Sequence, residues 1–146
     1  MDFACGTGLV GEHLKSAGFN KIFGIDVSEK MLDIAKEKNI YTSLRQLELG
    51  QEDFYAEFPA LWRAKFDFVT ASGLINNNHL DEKIFEQMLL GLKNHGIMIF
   101  AARYSYIGDY WYTAKLEEME KLGRIRFLKS DSFFKYDQLN QCIGKF

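Results

Sequence analysis

Apolar positions along the chain follow two spacings, and each spacing predicts a different element. Short apolar runs predict strands over residues 21–26, 41–49, 66–71 and 97–102. Apolar positions three and four residues apart predict helices over residues 9–17, 28–38, 81–93 and 112–122. Residues 54–64, which contain the only proline, are expected to form a loop with a short helix. This alternation predicts an α/β fold, Rossmann-like, with a doubly wound, mostly parallel sheet that binds ligands beyond the carboxyl ends of its strands.

Single residues mark several helix ends. Ser28 and Asp81 are typical N-caps, because a short polar side chain can accept a hydrogen bond from an N–H of the first turn. Gly18 and Gly123 are typical C-terminal stops, because glycine adopts the left-handed backbone that ends many helices. In the helix that Ser28 begins, one face is expected to turn toward the core: Met31, Leu32 and Ala35.

The first predicted turn from a strand to a helix is rich in glycine. Gly6, Gly8 and Gly11 follow Asp2, and Asp26 comes at the end of the next apolar run. Glycines let backbone N–H groups approach a ligand closely. An acid about 20 residues further on can accept hydrogen bonds from ribose hydroxyls. The pattern therefore predicts a site for a nucleotide-type cofactor.

The glycine spacing by itself fits two kinds of cofactor. It satisfies the G-x-G-x-x-G pattern of dinucleotide-binding proteins, so an NAD-dependent oxidoreductase is one alternative. Asp2 argues against that alternative, because a carboxylate just before the turn would repel a pyrophosphate. A carboxylate there suits a ligand that carries a cationic amino group and no phosphate.

The segment Asp-Phe-Ala-Cys-Gly-Thr-Gly at residues 2–8 resembles motif I of the class I S-adenosylmethionine-dependent methyltransferases. Residues 24–32, 50–54, 66–74 and 92–100 resemble four further signatures of that family, in the family's order. The resemblance covers roughly residues 2–103. The chain after it, with Tyr110, Trp111 and the helix end at residues 117–123, resembles the methyltransferase-like 27 group.

This resemblance implies S-adenosyl-L-methionine as the cofactor and implies which residues bind it. Asp2 would orient the glycine turn and the amino end of the cofactor, and Asp26 would hold the ribose. Val27 and Met31 would frame the adenine together with Glu52 or Asp53, and both acids stay open for this role. The full set of expected cofactor-binding residues is Asp2, Ala4, Cys5, Gly6, Gly8, Asp26, Val27, Met31, Glu52, Asp53, Ser72 and Gly73.

The family's reaction moves a methyl group from a sulfonium cation to a nucleophile, often without a dedicated catalytic residue. His79 is a candidate base because it follows the strand predicted over residues 66–71, and a loop histidine near the Asp81 cap is the alternative. Arg103, Tyr104 and Trp111 are candidates for substrate contact, with a surface role or helix packing as the alternative. The acceptor is expected to be a small molecule, with a protein acceptor as the other option.

Composition limits the kinds of partner and the cellular setting that are expected for this chain. Net charge is −2 and the basic residues are scattered, so a strong nucleic-acid footprint is not expected. No apolar run reaches the roughly 20 residues that span a bilayer, so no membrane association is expected. No His/Cys cluster has metal-ligand spacing. Cys5 and Cys142 are far apart, which favours a reducing, cytoplasmic setting.

The ends of the chain predict a partial methyltransferase domain over residues 1–146. Only Met1 precedes Asp2, so the first strand of the sheet is expected to be nearly absent and to leave a gap at its centre. Residues 124–129 are the candidate sixth strand, and the seventh is expected to be missing. A module that binds the cofactor but has lost activity is therefore a further alternative.

Overall fold

The computed structural model describes residues 1–75, 82–103, 111–134 and 143–145. Its helices are α1 (Leu9–Ser16), α2 (Glu29–Glu37), α3 (Phe54–Glu57), α4 (Lys83–Leu89) and α5 (Trp111–Lys121), with a 3-10 turn at Ala60–Trp62. Its strands are β1 (Asp2–Phe3), β2 (Ile22–Asp26), β3 (Tyr41–Gln46), β4 (Phe66–Ile75), β5 (Leu92–Arg103), β6 (Ser132–Phe134) and β7 (Ile143–Lys145).

The strands form one sheet in the order β3-β2-β1-β4-β5-β7-β6. Strands β1 to β5 pair in parallel, and β7 runs antiparallel to both β5 and β6. The predicted Rossmann-like, mostly parallel α/β fold is confirmed. The carboxyl ends of β1, β2 and β4 meet at one edge of this sheet, which is where such a fold binds ligands.

The predicted gap at the centre of the sheet is not observed. Asp2 pairs with Gly24 of β2 and with Thr70 of β4, and Phe3 pairs with Ile25 and Ala71. The carbonyl oxygen of Met1 also accepts a 2.8 Å hydrogen bond from the N–H of Thr70. Two residues are enough to bridge β2 and β4, because both faces of β1 are buried and Phe3 is 0% exposed.

The expectations for the last strands are wrong. Residues 124–129 form no strand, although their alternating pattern favours one, and Phe127 and Leu128 are each 61% exposed. The structure instead has β6 and β7, and β7 is the seventh strand that the sequence predicts to be missing. Strand pairing decides this outcome, because an alternating segment becomes a strand only where a neighbouring edge accepts its hydrogen bonds.

Most other predicted elements are confirmed with shifted ends. Ser28 caps α2, where its hydroxyl accepts a hydrogen bond from the N–H of Met31 at 3.4 Å. Helix α4 ends at Leu89 rather than near residue 93, because β5 already begins at Leu92, which pairs with Phe66 of β4. The segment around residues 97–102 is less buried than expected, and the side chain of Ile99 is 56% exposed. Asp81 lies outside the described residues.

A continuous apolar core holds the sheet against its helices. Its fully buried members come from strands β1, β2 and β4 and from helices α3, α4 and α5, so the core fixes these elements relative to one another. Aromatic rings dominate it, and Phe58 stacks on both Phe3 and Phe54 at centroid distances of 6.4 and 5.4 Å. The largest side chains with less than 2% exposure include Phe3, Phe54, Phe85, Ile25, Ile84 and Met88.

Candidate functional site

The turn between β1 and α1 has a left-handed backbone at three positions. Ala4, Gly6 and Gly8 have φ angles of 51°, 54° and 87°. Glycine adopts such angles freely, whereas an L-residue is strained there by about 1–2 kcal/mol. The N–H of Cys5 donates to the carbonyl oxygen of Ile25 at 2.9 Å, which joins the turn to β2. Gly8 begins α1 without a side-chain cap, so a ligand can accept from the first-turn N–H groups.

Asp26 ties the end of β2 to this turn. Its Oδ2 accepts from the N–H of Gly6 at 2.8 Å, and its Oδ1 accepts from the N–H of Ser28 at 2.9 Å. The residue is 7% exposed. A carboxylate can accept about four hydrogen bonds, so two remain for ribose hydroxyls. The position and the remaining capacity fit the ribose role that the family resemblance implies.

Asp2 makes its side-chain hydrogen bonds to β3 and β4, and its predicted contact with the amino end of the cofactor stays a prediction. Its Oδ2 accepts a 2.7 Å hydrogen bond from the Tyr41 hydroxyl, and its Oδ1 accepts a 2.9 Å bond from the Thr70 hydroxyl. Asp2 is 1% exposed, and burial raises the pKa of its carboxyl group above the usual range despite these two donors. The carboxylate that bonds directly to the turn is that of Asp26, because Asp2 points into the sheet toward β3 and β4.

Tyr41 is the site residue that sequence reasoning missed. Its ring lies 3.0 Å from where a Cβ on Gly8 would stand, and its hydroxyl lies 2.4 Å from the same position on Gly11. A Cβ on Gly24 would also meet this ring, at 2.9 Å. Burial and the neighbouring carboxylate of Asp2 raise the pKa of the Tyr41 hydroxyl, which therefore stays protonated and donates. The signal in the sequence was the set of three glycines, two at the start of α1 and one in β2, which together leave space for one large ring.

A cavity of about 300 Å³ opens beside the turn, where the resemblance implies the adenine. It lies between the end of β2 and the loop that joins β3 to α3. Its lining residues are Val27, Gln46, Leu47, Glu48, Gln51, Asp53 and Glu57. Its size is at the lower end for small-molecule sites. Polar acceptors dominate the lining, which suits a heterocycle that carries an amino group.

The geometry separates the two acids that the sequence leaves open for the adenine. Asp53 lines the cavity. Its side chain makes no capping hydrogen bond to α3, so it is available to a ligand. Glu52 forms an ion pair with Lys83 on α4 and does not line the cavity. Asp53 is therefore the better candidate for the adenine contact.

Met31 lies over the glycine turn. Its helical spacing instead predicts a position in the core. It is 45% exposed, and its sulfur is 3.6 Å from where a Cβ on Gly6 would stand. Val27 is 54% exposed and lines the cavity. Both apolar side chains thus stand at the mouth of the site, as expected of residues that cover a base.

Ser72 and Gly73 form an irregularity near the carboxyl end of β4. The β4–β5 register shifts between Ala71 and Ile75, and Gly73 has a φ of 77°. Because β1 last pairs with β4 at Phe3 and Ala71, Ser72 and Gly73 extend past β1 to the edge that carries the glycine turn. Their predicted contact with the cofactor is consistent with this place and stays a prediction.

The other candidates stay predictions as well. His79, Tyr104, Tyr110 and Cys142 lie outside the described residues. Arg103 is the last residue of β5 and Trp111 is the first residue of α5, which places their backbones at two element ends. Cys5 is a free, buried cysteine, and burial raises the pKa of its thiol to about 12, so the thiol is not a nucleophile. Its N–H donates to the carbonyl oxygen of Ile25, and its predicted contact with the cofactor stays a prediction.

The part of the chain that the structure describes supports neither a metal site nor a membrane-spanning helix. There, no group of three or more His, Cys, Asp or Glu side chains could hold a metal ion. Among the same residues, none of the helices has the length and apolarity to cross a membrane. The cytoplasmic location stays a prediction.

Comparison with known proteins agrees with this geometry. The methyltransferase domain family matches residues 1–96. Human methyltransferase-like protein 27 is 44% identical over 52 residues, which are 36% of this chain and 21% of that protein. An uncharacterized methyltransferase of Schizosaccharomyces pombe is 53% identical over 74 residues, which cover 42% of this chain and 26% of the relative. The aligned parts are thus about a fifth to a quarter of the length of these relatives.

A solved structure shows the same fold. An S-adenosylmethionine-dependent methyltransferase from Archaeoglobus fulgidus matches with a TM-score of 0.66 at 19% sequence identity. The match covers 94% of this chain and 65% of the other. The predicted resemblance to the class I family is confirmed, and the similarity to human methyltransferase-like protein 27 agrees with the predicted resemblance to that group.

Proposed function

Because the chain belongs to the family of methyltransferase domains, we propose that it forms the cofactor-binding part of an enzyme that transfers a methyl group from S-adenosylmethionine to an acceptor. One arrangement carries this proposal. The glycine turn, the Asp26 carboxylate and the cavity beside Val27 meet at one edge of the sheet. Together they offer backbone donors, an acceptor for ribose and a pocket of the size of a base.

Each part has a distinct task in this proposal. The backbone of the turn at Gly6 and Gly8 approaches the methionine part of the cofactor, and Asp26 holds the ribose hydroxyls. Val27 and Met31 cover the adenine, and Asp53 accepts from its amino group. S-adenosylmethionine brings the reactive methyl group with it, so the protein contributes mainly position and exclusion of water. A dedicated catalytic group is often absent from this chemistry, and where the acceptor must lose a proton, His79 is the candidate base.

The acceptor is a separate part of the proposal. We propose a small molecule, because the scattered basic residues do not form a footprint for nucleic acid. A protein acceptor is the other outcome of an acceptor screen. The candidate contact residues remain Arg103, which ends β5, and Tyr104 and Trp111, which come later in the sequence.

The oxidoreductase alternative loses its main support in the structure. It depends on the third glycine of G-x-G-x-x-G, which in dinucleotide-binding proteins allows close packing of the helix on the strand. Here Gly11 has this packing role with no dinucleotide involved, because any side chain at this position would collide with the Tyr41 hydroxyl of β3 at 2.4 Å. The glycine pattern is therefore accounted for without a dinucleotide.

Calorimetric titration with S-adenosylhomocysteine tests the cofactor site. We expect micromolar binding that Asp26→Ala abolishes, whereas Asp33→Ala, which removes an exposed carboxylate from the neighbouring α2, leaves it unchanged. NAD is the ligand control. A folded chain that binds NAD, or that binds S-adenosylhomocysteine equally well without Asp26, contradicts the proposal. Transfer of a labelled methyl group to any acceptor then distinguishes an enzyme from a module that only binds the cofactor.

A further inference from the structure

Gln87 is a polar side chain in the core that the cofactor site has not yet explained. It lies on α4 and is 0% exposed, among the apolar residues Ile84, Phe85 and Met88. A buried amide is costly unless its donor and its acceptor are both satisfied. Its partners are therefore informative about its role.

The oxygen and the nitrogen of the Gln87 side-chain amide both form hydrogen bonds with the loop between β3 and α3. The Oε1 atom accepts from the N–H of Gly50 at 2.7 Å, and the Nε2 atom donates to the carbonyl oxygen of Gln51 at 2.8 Å. The partners fix the orientation of the amide, because a backbone N–H can only donate and a carbonyl oxygen can only accept. A single side chain thus holds backbone groups of two consecutive residues, Gly50 and Gln51.

This loop forms one wall of the cavity. Gln51 and Asp53 both line it, and Asp53 is the proposed acceptor for the adenine amino group. Gly50 has a φ of 92°, so the chain bends at the residue whose N–H Gln87 binds. Lys83, one turn before Gln87 on α4, forms an ion pair with Glu52 of the same loop. The shape of this wall therefore depends on α4.

Helix α4 is itself held from its other side. Glu86, next to Gln87, pairs with Arg124 at 2.5 Å and with Lys115 of α5 at 3.8 Å. Since the helix is packed in the core and tied to α5, it provides a fixed support for the loop. Gln87 is too deeply buried to touch a ligand, so any effect on the ligand must act through Gly50 and Gln51.

We propose that Gln87 is a positioning residue for recognition of the cofactor's base, and that its two hydrogen bonds set the loop at residues 50–53 in the shape that selects adenine. This proposal rests on the proposed function, since it needs the base to occupy the cavity beside the loop. Gln87 acts on selectivity between bases, whereas a residue with a merely structural role changes stability and the affinity for every ligand together.

The binding test compares two ligands that differ only in the base. S-adenosylhomocysteine carries an amino group on the base, and S-inosylhomocysteine carries an oxygen there. We expect Gln87→Leu to lower the preference for the adenine compound about tenfold, the effect of losing one to two buried hydrogen bonds. Met88→Ala is the matched control, because Met88 is equally buried on α4 and has no hydrogen-bond donor. It should lower stability and leave the preference unchanged.

Gln87→Glu covers the case in which Gln87→Leu does not fold. The introduced carboxylate still accepts from Gly50 but cannot donate to Gln51 until it is protonated. The preference for adenine should therefore be low at neutral pH and recover as the pH falls, with the wild-type chain measured at each pH. A preference that is the same in wild type, Gln87→Leu and Gln87→Glu overturns the proposal.

Hydrogen exchange of the Gly50 amide without ligand separates this proposal from the proposed function. We expect exchange about tenfold or more faster in Gln87→Leu than in Met88→Ala, because only the first change removes the acceptor of that N–H. Equal exchange rates of the Gly50 amide in the two variants would show that Gln87 does not hold the loop. If the loop loosens but the folded wild-type chain binds neither compound, the proposed function fails, and the selectivity role fails with it.

Discussion

The Tyr41 hydroxyl donates a 2.7 Å hydrogen bond to Oδ2 of Asp2, across 39 positions of the sequence. This bond joins the first residue of β3 to the first residue of β1, and it lies beneath the glycine turn. The ring that carries the hydroxyl lies against Gly8 and Gly11, so the start of α1 rests on it. Asp2 therefore acts on the turn through Tyr41, while Asp26 bonds to the turn directly.

Removal of the Tyr41 hydroxyl should destabilise the fold. Tyr41→Phe keeps the ring in its slot but leaves one oxygen of a carboxylate that is 1% exposed without its donor. Loss of one partner of a buried polar group costs about 1–3 kcal/mol. Urea unfolding measures the change in the free energy of unfolding. Tyr55→Phe, at a tyrosine of α3 that is also partly exposed, is the matched control, and an equal effect in both variants would contradict a special role for Tyr41.

Gly11→Ala should destabilise the chain, although alanine at an ordinary helical glycine stabilises by about 1 kcal/mol. The sign is reversed because the new Cβ would lie 2.4 Å from the Tyr41 hydroxyl oxygen. Overpacking of this kind costs about 1–3 kcal/mol. Thermal and urea unfolding check the sign.

The control for Gly11→Ala is a double-mutant cycle. In a Tyr41→Ala background the ring is gone, so alanine at position 11 should become neutral or stabilising. If Gly11→Ala lowers the stability equally in both backgrounds, the Tyr41 ring is not the cause of the destabilisation.

The pH dependence of stability should reveal the buried Asp2 carboxyl group. Burial raises its pKa in the folded state above 3.8, the value for the exposed group. A raised pKa means that the protonated form is favoured on folding, so its contribution is present below pH 3.8 and is lost as the pH rises through the folded-state pKa. The stability of the wild-type chain relative to Asp2→Asn should therefore fall as the pH rises from 3.8 through the folded-state pKa. A difference that stays constant or rises over this range would contradict a raised pKa.

Ala4→Gly should stabilise the chain by up to about 1 kcal/mol, because it removes the strain of a non-glycine residue at a φ of 51°. Ala64 has a similar φ of 47° and lies outside the cofactor site, so Ala64→Gly is the matched control. Both substitutions should raise the midpoint of unfolding. Only Ala4→Gly should also change the affinity for S-adenosylhomocysteine, and an equal change in both would place Ala4 outside the site.

The sequence alone determined those features that depend on neighbouring residues. The glycine turn, the Ser28 cap and the acid at the end of β2 each follow from backbone angles or short-range hydrogen bonds that local residue types control. The alternation of strands and helices follows from the spacing of apolar residues, which is also local. For this reason the fold class and the cofactor-binding edge could be predicted before any contact was known.

Only the tertiary structure decided how distant segments meet. Tyr41 reaches Asp2 across 39 positions and Gln87 reaches Gly50 across 37, and no periodic pattern predicts which side chains will face each other over such distances. The same holds for β7, which becomes a strand because it enters between β5 and β6, whereas residues 124–129 alternate but pair with none of the strands in the described part of the chain. Local sequence sets what each segment can form, and the packing of the whole chain selects which contacts satisfy its buried polar groups.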